Sequence, residues 1–229
     1  MVNLLAAFVA LVPGGDIGLA VILLTVLVKV ILFPLASKSI KSQVKMNLIQ
    51  PEIDKIKNSG KTKEEQARLT FELYKTNKTN PFSGCLLVLI QIPIIFALYY
   101  AFYKGINIDP STLYSFTPIP TITSNNFLGL LDLTSKSIIL AVLAGLSQFL
   151  QAYFMPKPPV STATKGSFNE SLQKSLQIQM KYVFPVVVTF IAYSISGAIA
   201  LYWITSNVFA TLQQIYLAKK KEVLTLNTK

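Results

Sequence analysis

The sequence contains no histidine and a single cysteine, Cys85, among its 229 residues. The missing histidine removes the commonest general base, triad orienter and zinc ligand, which argues against Ser-His-Asp hydrolysis, rhomboid-type proteolysis and His-rich metal centres. One cysteine excludes an internal disulfide. Charge is scarce too: 14% of residues are charged, where soluble domains run nearer a quarter, and only 10 are acidic against 21 basic, a net charge of +11. No nucleophile with its base, carboxylate pair or metal cluster emerges from so small a set, so neither enzymatic activity nor a cofactor or metal is expected. What remains is apolar, with 52% hydrophobic residues and a mean hydropathy of +0.52. That is the profile of an integral membrane protein. The basic balance would also suit nucleic acid, but membrane proteins gather Lys and Arg in cytoplasmic loops, so the placement of the charge decides.

A membrane helix needs roughly 20 mostly apolar residues. Residues 17–35, 84–103, 137–154 and 198–217 qualify, and a shorter tract, 182–196, precedes the last, with Gly197 as the break between them. At ~1.5 Å per residue the fourth tract reaches only ~22 Å, so it needs local thinning or a buried end; a re-entrant segment is the rival reading. Between the spans, Lys38 to Lys78 holds ten basic and five acidic residues, and 155–181 has four Lys against Glu170. The tail 218–229 has Lys219, Lys220, Lys221 and Lys229 against Glu222, whereas the 104–136 loop is balanced. Five spans with the amino end outside and the carboxyl end in the cytoplasm satisfy every loop. Residues 1–16 lack a basic leader region and are expected to form an interfacial helix.

The cytoplasmic segment 36–83 carries Ile40, Val44 and Leu48 at helical spacing, then Ile53 and Ile56, with a break at Asn58-Ser59-Gly60. Thr62 followed by Glu65 has the form of a capping box opening a second helix, with Leu69 and Leu73 on one face beside Phe71 and Tyr74. This predicts a helical hairpin projecting into the cytoplasm, the alternative being two helices lying on the bilayer. Lys38, Lys41, Lys45, Glu52, Glu65, Arg68 and Tyr74 are its candidate recruitment residues.

Lys29 is the one ionisable residue inside a span. Burying a charge at a helix centre costs ~2.5 to 3.5 kcal/mol on insertion scales, so it marks a functional candidate unless its stem snorkels to the interface. Placed by depth, Thr25, Gln91, Gln148, Gln151, Thr205, Ser206, Asn207, Gln213 and Gln214 fall with it in the middle and cytoplasmic half of the bundle. The outer halves, including Ala198 to Trp203, are read as almost wholly apolar. Such amides serve as bridges between helices in a structural subunit, each for ~0.6 to 2 kcal/mol, or together line a hydrated groove open to the cytoplasm. A small-solute transporter or channel is the alternative, but it needs polar lining across the full thickness or a membrane-embedded carboxylate. Neither is present within the five tracts.

The ordered set of residues resembles the YidC/Oxa-type membrane protein insertases. It comprises the first span from Gly18 through Lys29 to Pro34; Met46 to Ile53; Glu72-Leu73-Tyr74-Lys75; Asn80 to Cys85; Gln91-Ile92-Pro93; and Pro185, Gly197, Leu201-Tyr202-Trp203, Asn207 and Gln213-Gln214. The resemblance covers roughly residues 17–217. It implies an all-α polytopic membrane protein: a five-span core, a cytoplasmic amphipathic hairpin and a hydrophilic groove open to the cytoplasm. It further implies an insertase and chaperone that accepts client segments and releases them sideways into lipid, alone or with the Sec translocon. The implied partners are nascent membrane proteins, membrane lipids, the Sec translocon, the signal recognition particle receptor and the ribosome, with no nucleotide. The implied site is the plasma (inner) membrane of a bacterium. Lys29 stands where the family has a characteristic arginine, which keeps the charge but loses the planar five-donor fork. The family's large extracytoplasmic domain and extended basic tail have no counterpart in these residues. Cys85 is read as an interfacial structural residue rather than a lipid anchor.

Overall fold

The computed structural model describes residues 2–80, 83–103, 113–120, 123–155, 175 and 178–226. Pro81-Phe82, residues 104–112 and 121–122, most of the 155–181 loop, the last three residues and the Cys85 side chain lie outside the described set. The chain is all-α: α1 (Val2–Leu11), α2 (Ile17–Lys57), α3 (Lys63–Thr76), α4 (Ser83–Tyr103), α5 (Ile138–Phe154), α6 (Phe184–Ser194) and α7 (Gly197–Leu226). One two-residue antiparallel pair, β1 (Asn126–Phe127) with β2 (Leu131–Asp132), sits in the loop before α5.

The 41 residues of α2 form one continuous helix, ~60 Å long at 1.5 Å per residue, about twice the hydrocarbon thickness. Among the described residues it alone passes a length-and-hydropathy test for crossing a membrane. The expected boundary at residue 35 is therefore not a helix end. Pro34 and Pro51 lie inside α2, each removing one backbone donor from the helix. The helix stops at Asn58, whose N–H bonds the Asp54 and Ile56 carbonyls, and Gly60 turns the chain at φ 70°.

At Thr62 the side chain accepts the Glu65 N–H at 3.3 Å, half of the expected capping box. The other half is absent because the Glu65 carboxylate takes the Lys61 ammonium at 2.8 Å. That pairing holds the Glu65 carboxyl below its usual range, the side-chain hydrogen bond being the larger cause. The hairpin face also differs from its expected stripe. Ile49 and Ile53 are buried, while Leu48 is 65% exposed. Steps of four residues overshoot a 3.6-residue turn by ~40° each, so a stripe begun at Ile40 and Val44 has rotated outward by Leu48.

The bundle core is built from Leu5 and Val9 of α1, Ile17, Ala20, Val21 and Leu24 of α2, Leu140, Ala141 and Ala144 of α5, Val188 and Ala192 of α6, and Ala198 to Tyr202 of α7. Seven of the buried residues are alanines. Lipid is as apolar as a leucine core, so helices in a membrane associate by close van der Waals approach, and small residues permit it. At Gly145 of α5 an added Cβ would overlap the Thr189 side chain of α6. Large apolar side chains point outward instead: Val30 and Ile31 on α2, Phe96 on α4, Leu146 on α5, Phe190 on α6 and Leu212 on α7 are all more than half exposed. This inside-out distribution suits lipid contact. At the fourth tract a π-helical turn, Gln179–Val183, runs directly into α6, so the helical run starts before Tyr182 and ends at Ser194.

Three helices, α2, α5 and α7, begin at the same end of the bundle, and each leaves unpaired N–H groups there. The segment around β1 and β2 accepts several of them. Ile17 N–H bonds the Ser124 carbonyl at 3.1 Å, Gly197 N–H the Ser135 carbonyl at 3.0 Å, and Ala198 N–H the Leu133 carbonyl at 3.1 Å. Ser137 caps α5 through the Leu140 N–H. A Cβ on Gly197 would stand 3.2 Å from the Leu133 backbone, so the glycine allows this approach. Buried Asp16 joins two parts: its carboxylate accepts the Leu19 N–H within α2 and the Leu128 N–H of the β-turn at 2.7 Å. Asn3 of α1 likewise accepts from Tyr114 N–H and the Thr117 hydroxyl. At the rim, the Asp132 carboxyl is held below its usual range by hydrogen bonds from Thr134. Asp16→Ala removes a helix cap and leaves a loop donor unpaired, so the unfolding midpoint in detergent should fall by the equivalent of ~1 to 3 kcal/mol. Asp16→Asn, which keeps an acceptor, should lose less in the same thermal scan.

Candidate functional site

Beyond this capped end, interior polarity begins two to three turns into α2 and α7. Lys29 lies twelve residues into α2, ~18 Å along it. Its Nζ donates to Gln91 Oε1 of α4 at 3.4 Å, a long contact. The Gln91 Nε2 donates in turn to the Tyr202 hydroxyl of α7, and Ser206, one turn further on, hydrogen-bonds the same hydroxyl. A polar chain therefore crosses three helices: Lys29, Gln91, Tyr202, Ser206. Tyr202 was hidden within the stretch Ala198 to Trp203 that reads as apolar. Its ring is indeed core, at 3% exposure, but its hydroxyl reaches the polar layer. The four-residue spacing to Ser206 was the available signal.

Two further links lie nearer the hairpin. Asn207 Nδ2 donates to Ser147 Oγ of α5 at 3.1 Å, and Ser147 donates to the Ala144 carbonyl. Gln213 Nε2 donates to both the Phe33 carbonyl and Ser37 Oγ of α2, each at 3.1 Å, beside the proline at position 34. Ser37 and Ser147 were not among the sequence candidates, although each adjoins a polar or helix-breaking neighbour.

The remaining candidates divide by what their polar atoms already do. The hydroxyls of Thr25 and Thr205 bond carbonyls of their own helices, Val21 at 2.6 Å and Leu201 at 2.9 Å. Those donors are spent locally, a common use of mid-helix threonine. Thr25 is also 2% exposed, so it lies within the helix packing rather than on an open wall. Gln148 and Gln214 are buried, and Gln214 Oε1 has no hydrogen-bond partner. Gln91, Gln151, Thr205 and Lys29 are half-buried. On the hairpin, Lys38, Lys41, Lys45, Glu52 and Arg68 are exposed, while Glu65 and Tyr74 are half-buried. Burial raises the Tyr74 hydroxyl above its usual pKa. Among the described residues no group of His, Cys, Asp or Glu is placed to hold a metal ion. The arrangement can hold a cation at mid-bundle and offer amides to a polar segment.

Asn207→Ala should lower the thermal unfolding midpoint in detergent by the equivalent of ~0.6 to 2 kcal/mol, because it deletes an interhelical hydrogen bond. Gln151→Ala, at a half-buried position, should stay within ~0.5 kcal/mol of the parent.

A family model described as 60Kd inner membrane protein matches residues 8–223. A membrane protein insertase YidC from Fusobacterium nucleatum is 34% identical over 225 residues, spanning 95% of this chain and 97% of that protein. The protein of the same name from Oceanobacillus iheyensis is 36% identical over 95% of this chain and 81% of its own length, and that from Clostridium tetani 36% identical over 92% and 84%. With most of both chains aligned at this identity, and with the all-α, inside-out bundle just described, the chain belongs to the 60Kd inner membrane protein family, whose relatives named here are the YidC membrane protein insertases.

Proposed function

We propose that this chain is a membrane protein insertase and chaperone. In this reading a client's hydrophobic segment enters between helices while its polar flank rests in a groove opening to the cytoplasm, and the client then leaves sideways into lipid. The observation that carries it is the polar layer that crosses α2, α4 and α7 around the half-buried Lys29, in a bundle whose core is otherwise apolar at that depth. A cation between low-dielectric walls attracts acidic or polar residues more strongly than it would in water. Polar groups at that depth also shorten the hydrocarbon path a hydrophilic segment must cross.

In the same proposal the amino end and the β-capped end of the bundle lie outside the cell, the carboxyl end inside, and the membrane is bacterial and inner. Helix α1 sits along the outer interface. The hairpin of α3 and the second half of α2 receives clients in the cytoplasm, either from the ribosome and the signal recognition particle receptor or beside the Sec translocon. Its exposed lysines and the exposed Phe71 suit contact with nascent chains and with lipid headgroups.

Reconstituted in liposomes, the protein should insert a small single-span client above the level of empty liposomes; insertion no better than the empty control would refute the proposal. Lys29→Ala should reduce that yield roughly threefold to tenfold, and Lys29→Arg, which retains the charge, should preserve most of it. Solute flux through the same vesicles would instead favour a transporter.

A further inference from the structure

We propose that Gln91 and Tyr202 are positioning residues for Lys29: the Tyr202 hydroxyl sets the orientation of the Gln91 amide, and the amide holds the ammonium at the junction of α2, α4 and α7. The inference rests on reading Lys29 as a client contact and names what keeps it there.

The chemistry of the chain is directional. An ammonium has donors and no acceptor, so the group facing Lys29 must be the carbonyl oxygen of Gln91, which leaves the amide NH2 facing away. In that direction stands the Tyr202 hydroxyl, whose oxygen accepts. Tyr202 cannot easily withdraw, because its ring is 3% exposed within the apolar core and belongs to the same cluster as Leu24 and Leu140. Ser206, one turn along α7, also hydrogen-bonds the hydroxyl. The tyrosine is therefore the fixed point, the glutamine the adaptor and the lysine the element held.

Holding matters because a lysine stem is long enough to leave a site at this depth. Lys29 lies six residues before Leu35, the expected edge of the first span, ~9 Å by helical rise, and a lysine stem can cover much of that distance to reach headgroups. Released from Gln91, the charge would move outward to the interface, where water screens it and where it no longer faces the polar layer. The charge would survive and its position would not. A loss of Tyr202 should thus resemble a partial loss of Lys29, although Tyr202 carries no charge.

Tyr202→Phe deletes only the hydroxyl and keeps the buried ring, so the bundle should fold. Two measurements test the proposal on the full chain in liposomes. In the first, a water-soluble amine-acylating reagent is added and modification of Lys29 is quantified by mass spectrometry. Tyr202→Phe and Gln91→Leu should each raise it roughly threefold to tenfold, the factor that one intramembrane hydrogen bond represents. Unchanged acylation in both variants would overturn the positioning role. In the second, insertion of the single-span client is measured with and without Lys29. Tyr202→Phe should reduce insertion in the parent but leave it within about twofold in the Lys29→Ala background. An equal loss in both backgrounds would make the tyrosine a structural bridge and overturn the proposal. If Lys29→Ala inserts normally, the role of Lys29 itself fails, and the acylation result still decides whether Gln91 and Tyr202 hold it.

Discussion

Polar groups inside a bilayer must find partners within the protein, because lipid supplies none. Much of this structure follows from that requirement. At one end, the N-termini of α2, α5 and α7 present donors that would be left bare in a hydrocarbon environment, and the short segment containing β1 and β2 is shaped to receive them. Asp16 is the clearest case: a buried carboxylate with two backbone donors, one from its own helix and one from the turn. The irregular loop thus closes one end of the bundle, and its close approach to α7 depends on the missing side chain of Gly197.

The same requirement governs the interior. Hydroxyls on α2 and α7 turn back on their own helices, while Asn207 and Gln213 reach across to α5 and α2. These bridges account for several polar residues without invoking a client. Lys29 is different in kind. Its partner chain runs through an amide to the hydroxyls of Tyr202 and Ser206 and contains no acid, so the positive charge is hydrogen-bonded and remains uncancelled by that chain. A neutral tether that leaves a charge available is the arrangement expected of a contact site, whereas an ion pair would have closed it.

Much of the fold could be read from residue order. Each apolar tract coincides with a helix, although α2 and α7 run well past the ends of their tracts; Asn58 to Gly60 ended α2, and Thr62 opened α3. The readings that changed have specific causes. The long helix α2 passes through Pro34 without stopping, since proline costs a helix one bond and tertiary packing can override that loss. Leu48 left the hairpin face through the mismatch between four-residue spacing and 3.6 residues per turn. Thr25, grouped with Lys29 by depth, turned out to be bonded to Val21 and enclosed in packing, because depth says nothing about which way a helix face points.

Taken alone, the residue string determined the apolar surroundings, the helical class and the family likeness, because all three depend on local composition and order along the chain. The partners were decided by tertiary structure. Lys29 and Gln91 are 62 positions apart and Gln91 and Tyr202 are 111 apart. Neither distance is periodic, so no pattern along the chain could pair them. Only the packing of α2, α4 and α7 brings an ammonium, an amide and a phenol into one line, and that line separates a lysine held at mid-bundle from one free to reach the interface.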